Sequence, residues 1–232
     1  EAEFPMEPVG LKYPVGTLKP DDIAIIIGNS DYKKAGKDIP NVTPAYADAE
    51  AFRQYAMTSL GIAEDNIIYI RDATLTDMVA TFGNDVNHKG QAFNWTKAGA
   101  SNVYVYYSGH GAPSTEANSS SYLVPVNAQA SLIKLSGYKL ETLYKNLAQI
   151  PSKSTTVIVE SCFSGASQSG SVITNASPVY ITPNDAKLPG NMTVITAGAN
   201  DQIASWEEDK SHSLFTKYYL TAMAGAADIA PY

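Results

Sequence analysis

The chain has 232 residues, 44% of them hydrophobic and only 17% charged, with a formal net charge of −7. That length fills one good core, and without a basic stripe nucleic acid is excluded as a partner. A single cysteine rules out an internal disulfide, three scattered histidines rule out a structural zinc site, and no apolar run nears the ~18 residues that span a bilayer.

Glu1-Ala2-Glu3-Phe4 reads as a processing or cloning scar, and residues 1–20, rich in Pro and Gly, as an irregular lead-in. Residues 21–232 read as one domain. Ile23-Ala24-Ile25-Ile26-Ile27 is a continuous apolar run, the mark of a strand buried on both faces. From Tyr46 to Leu60 apolar residues recur at helical spacing, and Gly61 closes the helix. Asn66–Ile70 is a second strand, and Thr74-Leu75-Thr76-Asp77 forms a capping box that opens a second helix. Asn102–Tyr107 is a third strand and Tyr122–Val126 a short extra one. Lys139–Leu147 is a helix and Thr155–Glu160 the fourth main strand. Residues 166–190 read as a loop or linker, Asn191–Ala197 as a fifth strand, and Leu214–Ala224 as a last helix. Alternating strands and helices define an α/β fold, a mostly parallel central sheet with helices on both faces.

In such sheets sites form at the carboxyl ends of the strands. His110 and Cys162, 52 residues apart, both fall just past predicted strand ends. A thiol attacks a carbonyl carbon well when a base takes its proton, and a histidine on a neighbouring strand end supplies that base. Gly109 and Gly111 allow close backbone approach, so the N–H groups of Gly111 and Cys162 are candidate oxyanion donors. Against this stands the commoner role of a lone cysteine, inert packing, and of a lone histidine in a Gly-rich turn. Tyr104 and Tyr106 read as packing residues. Five N-x-Ser/Thr sequons begin at Asn41, Asn94, Asn118, Asn175 and Asn191 and matter only in a glycosylating pathway.

Tyr106-Tyr107-Ser108-Gly109-His110-Gly111 and Glu160-Ser161-Cys162-Phe163-Ser164-Gly165 resemble the histidine and cysteine signatures of the caspase-like cysteine peptidases. Ile25–Tyr32, Ala47-Asp48-Ala49 and Leu214-Phe215-Thr216 are similar to that family's first strand, first helix and last helix. The subgroup most resembled is the metacaspases and their bacterial, orthocaspase-like relatives. The resemblance implies a caspase-like three-layer sandwich over residues 21–232, with Cys162 as nucleophile, His110 as general acid/base and no cofactor required for the chemistry. It also implies a pocket for the residue before the scissile bond. Glu160 stands where metacaspases carry an acid, Asp48 matches their second acidic position and Ser108 a polar one. Trp206, Glu207 and Asp201 lie where relatives touch substrate. Two carboxylates in one pocket take an arginine or lysine side chain and repel aspartate. The rival reading makes Asp48 a helix-orienting residue and Glu160 an ordinary strand-end acid.

The expected activity is therefore endopeptidase cleavage after Arg or Lys. A catalytically silent caspase-like scaffold and an Asn-specific, legumain-like peptidase are the alternatives. An α/β hydrolase or a nucleotide-binding domain fits poorly, since the chain has neither a GxSxG elbow nor a GxxxxGK[ST] loop. Calcium activation, common in metacaspases, stays open because no aspartate cluster marks a site. Lys187, the one basic residue of the 166–190 linker, is a candidate self-cleavage point. The expected partners are peptide or protein substrates, with no nucleic acid or membrane, and the expected state is a monomer. Few cysteines and few charges slightly favour an exported protein, periplasmic or extracellular.

Overall fold

The computed structural model describes residues 4–36, 38–113, 121–163, 166–167, 170–172, 188–197 and 205–226. In chain order the strands are β1 (Ile23–Gly28), β2 (Ile67–Arg71), β3 (Asn102–Ser108), β4 (Gly111–Ala112), β5 (Tyr122–Leu123), β6 (Tyr138–Lys139), β7 (Ser154–Glu160), β8 (Ala166–Ser167), β9 (Gly170–Ser171) and β10 (Met192–Thr196). The α-helices are α1 (Tyr32–Ala35), α2 (Ala45–Thr58), α3 (Leu75–Phe82), α4 (Gln91–Trp95), α5 (Ile133–Ser136), α6 (Leu140–Leu147) and α7 (Leu214–Thr221).

Five strands form one parallel sheet in the order β10-β7-β3-β1-β2. Alternation along β1 sorts its side chains onto two faces. Ile23, Ile25 and Ile27 pack with Val103, Val105, Tyr107, Val157 and Val159 against Met78, Phe82, Ala92, Leu143 and Leu147 of α3, α4 and α6. Ala24 and Ile26 face the other way, with Tyr106 and Ile158, onto Phe52 and Ala56 of α2 and Leu220 of α7. Tyr106 stacks on Phe52 with ring centroids 4.5 Å apart, so its role in the sheet face is packing. The resulting helix–sheet–helix sandwich is the expected one.

From β1 the chain crosses to β2 on one side and then to β3 on the other, so the sheet's topological switch lies between β1 and β3. Crevices at such a point open outside the carboxyl ends of the strands. Gly28 ends β1 there. A Cβ on it would lie 2.6 Å from the Ala45 carbonyl oxygen and 2.8 Å from the Ala49 Cβ, so glycine lets α2 lie close against the strand end and bring Asp48 to the sheet edge. Beyond it Asn29 is fully buried; its side chain accepts from Ala73 N–H at 2.7 Å and donates to the Val124 carbonyl at 3.2 Å. One amide thus ties together the loops that follow three different strands.

The main elements lie where the sequence places them, with local differences. Helix α2 ends at Thr58 rather than Leu60, and Gly61, at φ +70°, instead makes a close approach to the Thr17 backbone. Thr74 and Asp77 form the predicted capping box of α3. The last helix changes to a wider π turn over Ala222–Ala226, where Gly225 at φ 108° breaks it. The expected loop over 166–190 opens with a two-strand hairpin, β8–β9, too short and too rich in Ser and Gly to carry an alternating signal. The lead-in is irregular but held down: Lys19 bridges Ile62, and Phe4, part of the expected scar, packs edge-on to Tyr46.

Candidate active site

The register of β3 and β7 positions the two expected catalytic residues. Ser108 is aligned with Glu160, so His110 and Cys162 each lie two residues past the same aligned pair. Gly109 N–H donates to the Glu160 carbonyl at 3.3 Å, carrying the pairing one step beyond the strands. A Cβ on Gly111 would come within 2.6 Å of Ser161 Oγ and 2.7 Å of the Cys162 carbonyl oxygen. The histidine turn and the cysteine turn are therefore in direct backbone contact, and only glycine permits it. Cys162 is 9% exposed and carries no disulfide.

His110 is buried, and burial pushes its pKa down to about 4 against the opposing effect of its one backbone bond. That bond joins Nε2 to the Pro40 carbonyl oxygen at 2.7 Å. A carbonyl only accepts, so Nε2 carries the proton and Nδ1 the free lone pair. The imidazole is thus a neutral base of defined tautomer. Its backbone is fixed as firmly: His110 N–H donates to Tyr32 Oη at 2.9 Å, and Tyr107 Oη donates to the His110 carbonyl at 2.9 Å. The Tyr32 ring packs on the imidazole at 4.8 Å, and the Tyr32 hydroxyl donates to the Val124 carbonyl at 3.0 Å.

A second corner of the same sheet edge holds the expected pocket acids. Asp48 is fully buried. Its Oδ1 accepts from Ser213 N–H at 3.0 Å, and its Oδ2 accepts from the hydroxyls of Ser213 at 2.6 Å and Ser108 at 3.2 Å. Glu160, 4% exposed, accepts through Oε2 from Thr216 N–H at 2.9 Å and Thr216 Oγ1–H at 2.8 Å. Ser213 is the N-cap of α7 and Thr216 lies in its first turn, so both acids sit at that helix's positive end. Burial first, and the Asp48 charge second, raise the Glu160 pKa to about 8. The two carboxyl groups share one site and do not both stay ionised at neutral pH.

The remaining expected contacts divide. Trp206 is buried in a small cluster with Tyr32, Ile39, Val42 and Ala112, beside the histidine turn. Glu207 pairs with Lys217 and accepts from the Ser211 hydroxyl at 3.0 Å; these bonds hold its pKa below the usual range. Both belong to a hairpin, closed by the Trp206–Ser213 bridge, that leads into α7. Asp201 and Lys187 lie outside the described residues. Among the described residues, no group of three or more His, Cys, Asp or Glu side chains could hold a metal ion.

Several residues of the site carried little sequence signal. Pro40 acts through its carbonyl, which any residue would supply. Tyr32, Ser213 and Thr216 act through ordinary side chains whose partners lie 78, 165 and 56 residues away.

A parallel sheet with a histidine turn and a cysteine turn meeting at its carboxyl edge defines a caspase-type peptidase domain. The sequence matches the Caspase domain family (Peptidase_C14) over residues 21–230, and the chain belongs to that family. Among solved structures it is similar to caspase-1 from Spodoptera frugiperda, with a TM-score of 0.53 at 13% identity, covering 95% of this chain and 75% of that one. At that identity the likeness is one of fold. A search of curated protein sequences gave no match.

Proposed function

We propose that the protein is an active cysteine endopeptidase that cleaves after arginine or lysine, of the metacaspase and orthocaspase type. The observation that carries the catalytic part is the placement of His110 and Cys162 at equivalent steps beyond one aligned residue pair, with a neutral imidazole whose Nδ1 is free to act as base. Cys162 Sγ attacks the scissile carbonyl carbon as its proton passes to His110. The oxyanion is met by the N–H groups of Gly111 and Cys162. His110 then returns the proton to the departing amine, and water, deprotonated by the same imidazole, releases the acyl group.

The basic specificity rests on Asp48 and Glu160 sharing one buried site. A guanidinium or ammonium group arriving there replaces the proton that Glu160 holds. Asp201, Trp206 and Glu207 complete the substrate-binding side, the chain acts as a monomer, and Lys187 is the point of self-cleavage. One observation favours a second reading: both acids already accept hydrogen bonds from α7, as groups that only anchor the helix would. In that case the residue before the cut is asparagine or another neutral side chain.

A panel of reporter peptides with Arg, Lys, Asn or Asp before the reporter, assayed with and without calcium, tests this. Turnover of Arg and Lys peptides, lost in Cys162→Ala, is expected. Turnover of the Asn peptide alone moves the assignment to the second reading. No turnover with any peptide, together with no labelling by an acyl-type thiol probe, sinks the catalytic assignment and leaves a scaffold.

A further inference from the structure

The segment that follows β1 closes on itself before α2 begins. Ser30 is fully buried and meets Val42 twice: Val42 N–H donates to the Ser30 carbonyl at 3.0 Å, and Ser30 Oγ–H donates to the Val42 carbonyl at 2.7 Å. Asn41 Oδ1 accepts from Lys33 N–H at 2.9 Å, a second tie across the same loop. Two residues inside it reach His110. Tyr32 accepts the histidine's N–H and packs its ring on the imidazole, and the Pro40 carbonyl accepts from Nε2. Backbone, ring face and protonated nitrogen are thus all held from one closed loop, and Nδ1 is left as the free end of the ring.

That loop has an anchor outside itself. Asp72, just past β2 at the edge of the sheet, turns Oδ1 to the N–H groups of Ser30 at 3.0 Å and Asp31 at 3.1 Å, the two residues immediately before Tyr32. Its Oδ2 accepts from the Tyr46 hydroxyl on α2, so one side chain ties the start of the loop to the helix that follows it. To reach them Asp72 adopts φ +56°, a left-handed backbone that residues other than glycine rarely take and that Asp and Asn tolerate best. Its own N–H donates to the Gly28 carbonyl at 2.9 Å, which holds that turn against the end of β1. A sparsely populated backbone state persists where the surroundings over-determine it, and such states cluster at functional sites.

We infer that Asp72 is a positioning residue for His110: it fixes Ser30 and Asp31, and through them the Tyr32 and Pro40 cradle that sets the orientation and tautomer of the imidazole. This rests on the reading of His110 as the base for Cys162. Asp72 bonds neither to the histidine and cysteine turns nor to the acid corner, whose carboxylates are held from α7. Its loss therefore displaces the base and leaves substrate affinity alone. A displacement of about 1 Å in a reacting group costs about a hundredfold in rate.

Two substitutions separate the side chain from the backbone. Asp72→Gly removes the carboxylate and takes the left-handed conformation more easily; Asp72→Asn keeps an oxygen acceptor and tolerates the same conformation. With whichever reporter peptide the wild type cleaves, Asp72→Gly lowers kcat about a hundredfold with KM unchanged, and Asp72→Asn retains most of the activity. A second readout needs no peptide. Cys162 is the chain's single cysteine, so its alkylation by iodoacetamide reports the base directly, and the rate in Asp72→Gly falls towards that of His110→Gln. Tyr32→Phe, which spares the anchor and removes the hydroxyl that meets His110, shows the same two changes and carries the test if the Gly variant does not fold. Melting curves set the assay temperature below every transition. Wild-type kcat and alkylation in folded Asp72→Gly or in Tyr32→Phe, a rise in KM as large as the fall in kcat, or an equally deep loss in Asp72→Asn overturns this inference alone. A wild type that cuts no peptide and alkylates no faster than His110→Gln overturns the catalytic reading, and this inference with it.

Discussion

Two corners of one sheet edge bury ionisable groups by opposite means. The histidine corner holds His110 among tyrosines and one backbone carbonyl, and discharges it: burial drives the pKa to about 4, and the ring stays neutral. The acid corner holds Asp48 and Glu160 among the donors at the start of α7, and keeps its charge by spreading it over hydrogen bonds, with one proton retained on Glu160 up to about pH 8. A base must offer a lone pair, so neutrality suits the first corner. A cation site, as proposed for the second corner, must offer net negative charge, so it needs donors that hold the carboxylates without cancelling them. The same burial thus serves two purposes, because the partners differ: a lone acceptor on one side, a helix N-terminus on the other.

Breaking the histidine corner carries the largest effect. Cys162→Ala and His110→Gln each lower kcat by more than about a thousandfold, as removal of one member of a concerted pair does, and the double variant is barely worse than either. Stopped reporter cleavage with a retained circular dichroism spectrum checks this. Additive losses would show that the two residues act independently. Next in size is Gly111→Ala. Its methyl would enter the space of Ser161 Oγ and the Cys162 carbonyl, pushing the two turns apart; about 1–3 kcal/mol of stability and most of the activity are lost. Unchanged activity there would mean that the turns need not touch.

The pH response then sharpens the contrast. The folded pKa of His110 is depressed, so its contribution to stability is complete above about 6.5 and is lost as pH falls towards 4. The folded pKa of Glu160 is raised, so its contribution is complete below about 4.5 and is lost as pH rises through 8. Melting temperatures of His110→Gln and Glu160→Gln across pH 4–9 should therefore flatten opposite limbs of the wild-type curve, the first the acid side and the second the alkaline side. Two variants flattening the same limb would contradict the assignment. The last variant, Thr216→Val, leaves the backbone donor to Glu160 but removes the hydroxyl that donates to it and that meets the buried Tyr106 Oη at 2.6 Å: about 1–2 kcal/mol by chemical denaturation.

Much of this was legible in the sequence because it is local. The all-apolar run of β1 and the capping box at Thr74 declare themselves within a few residues, and so do the two Gly-flanked turns that hold His110 and Cys162. What the sequence could not disclose is which donors meet which acceptors across long separations. Asp48 reads in the sequence as a pocket acid, with a helix-orienting role as the rival; in the fold it bonds the N-cap of a helix 165 residues away, and that partner is an unremarkable serine. His212 looked like one of three unrelated histidines, and only the return of α7 over the sheet brings it to Asp48. Short pieces such as α1, α4 and β8–β9 were missed because four or five residues, or two, carry no periodicity to read.

The strand order has a consequence for a chain divided in two. Any break within residues 173–187 leaves Cys162, His110, Asp48 and Glu160 on the first fragment, while β10, His212, Ser213 and Thr216 go with the second. The fragments remain joined by five aligned pairs between β10 and β7, and by hydrogen bonds from α7 to Asp48 and Glu160. The histidine and cysteine turns stay with one piece, and the donors that hold the two carboxylates go with the other. Separately expressed halves should accordingly regain a formed site only on reassociation, with the buried carboxylates serving as the socket into which the second half docks.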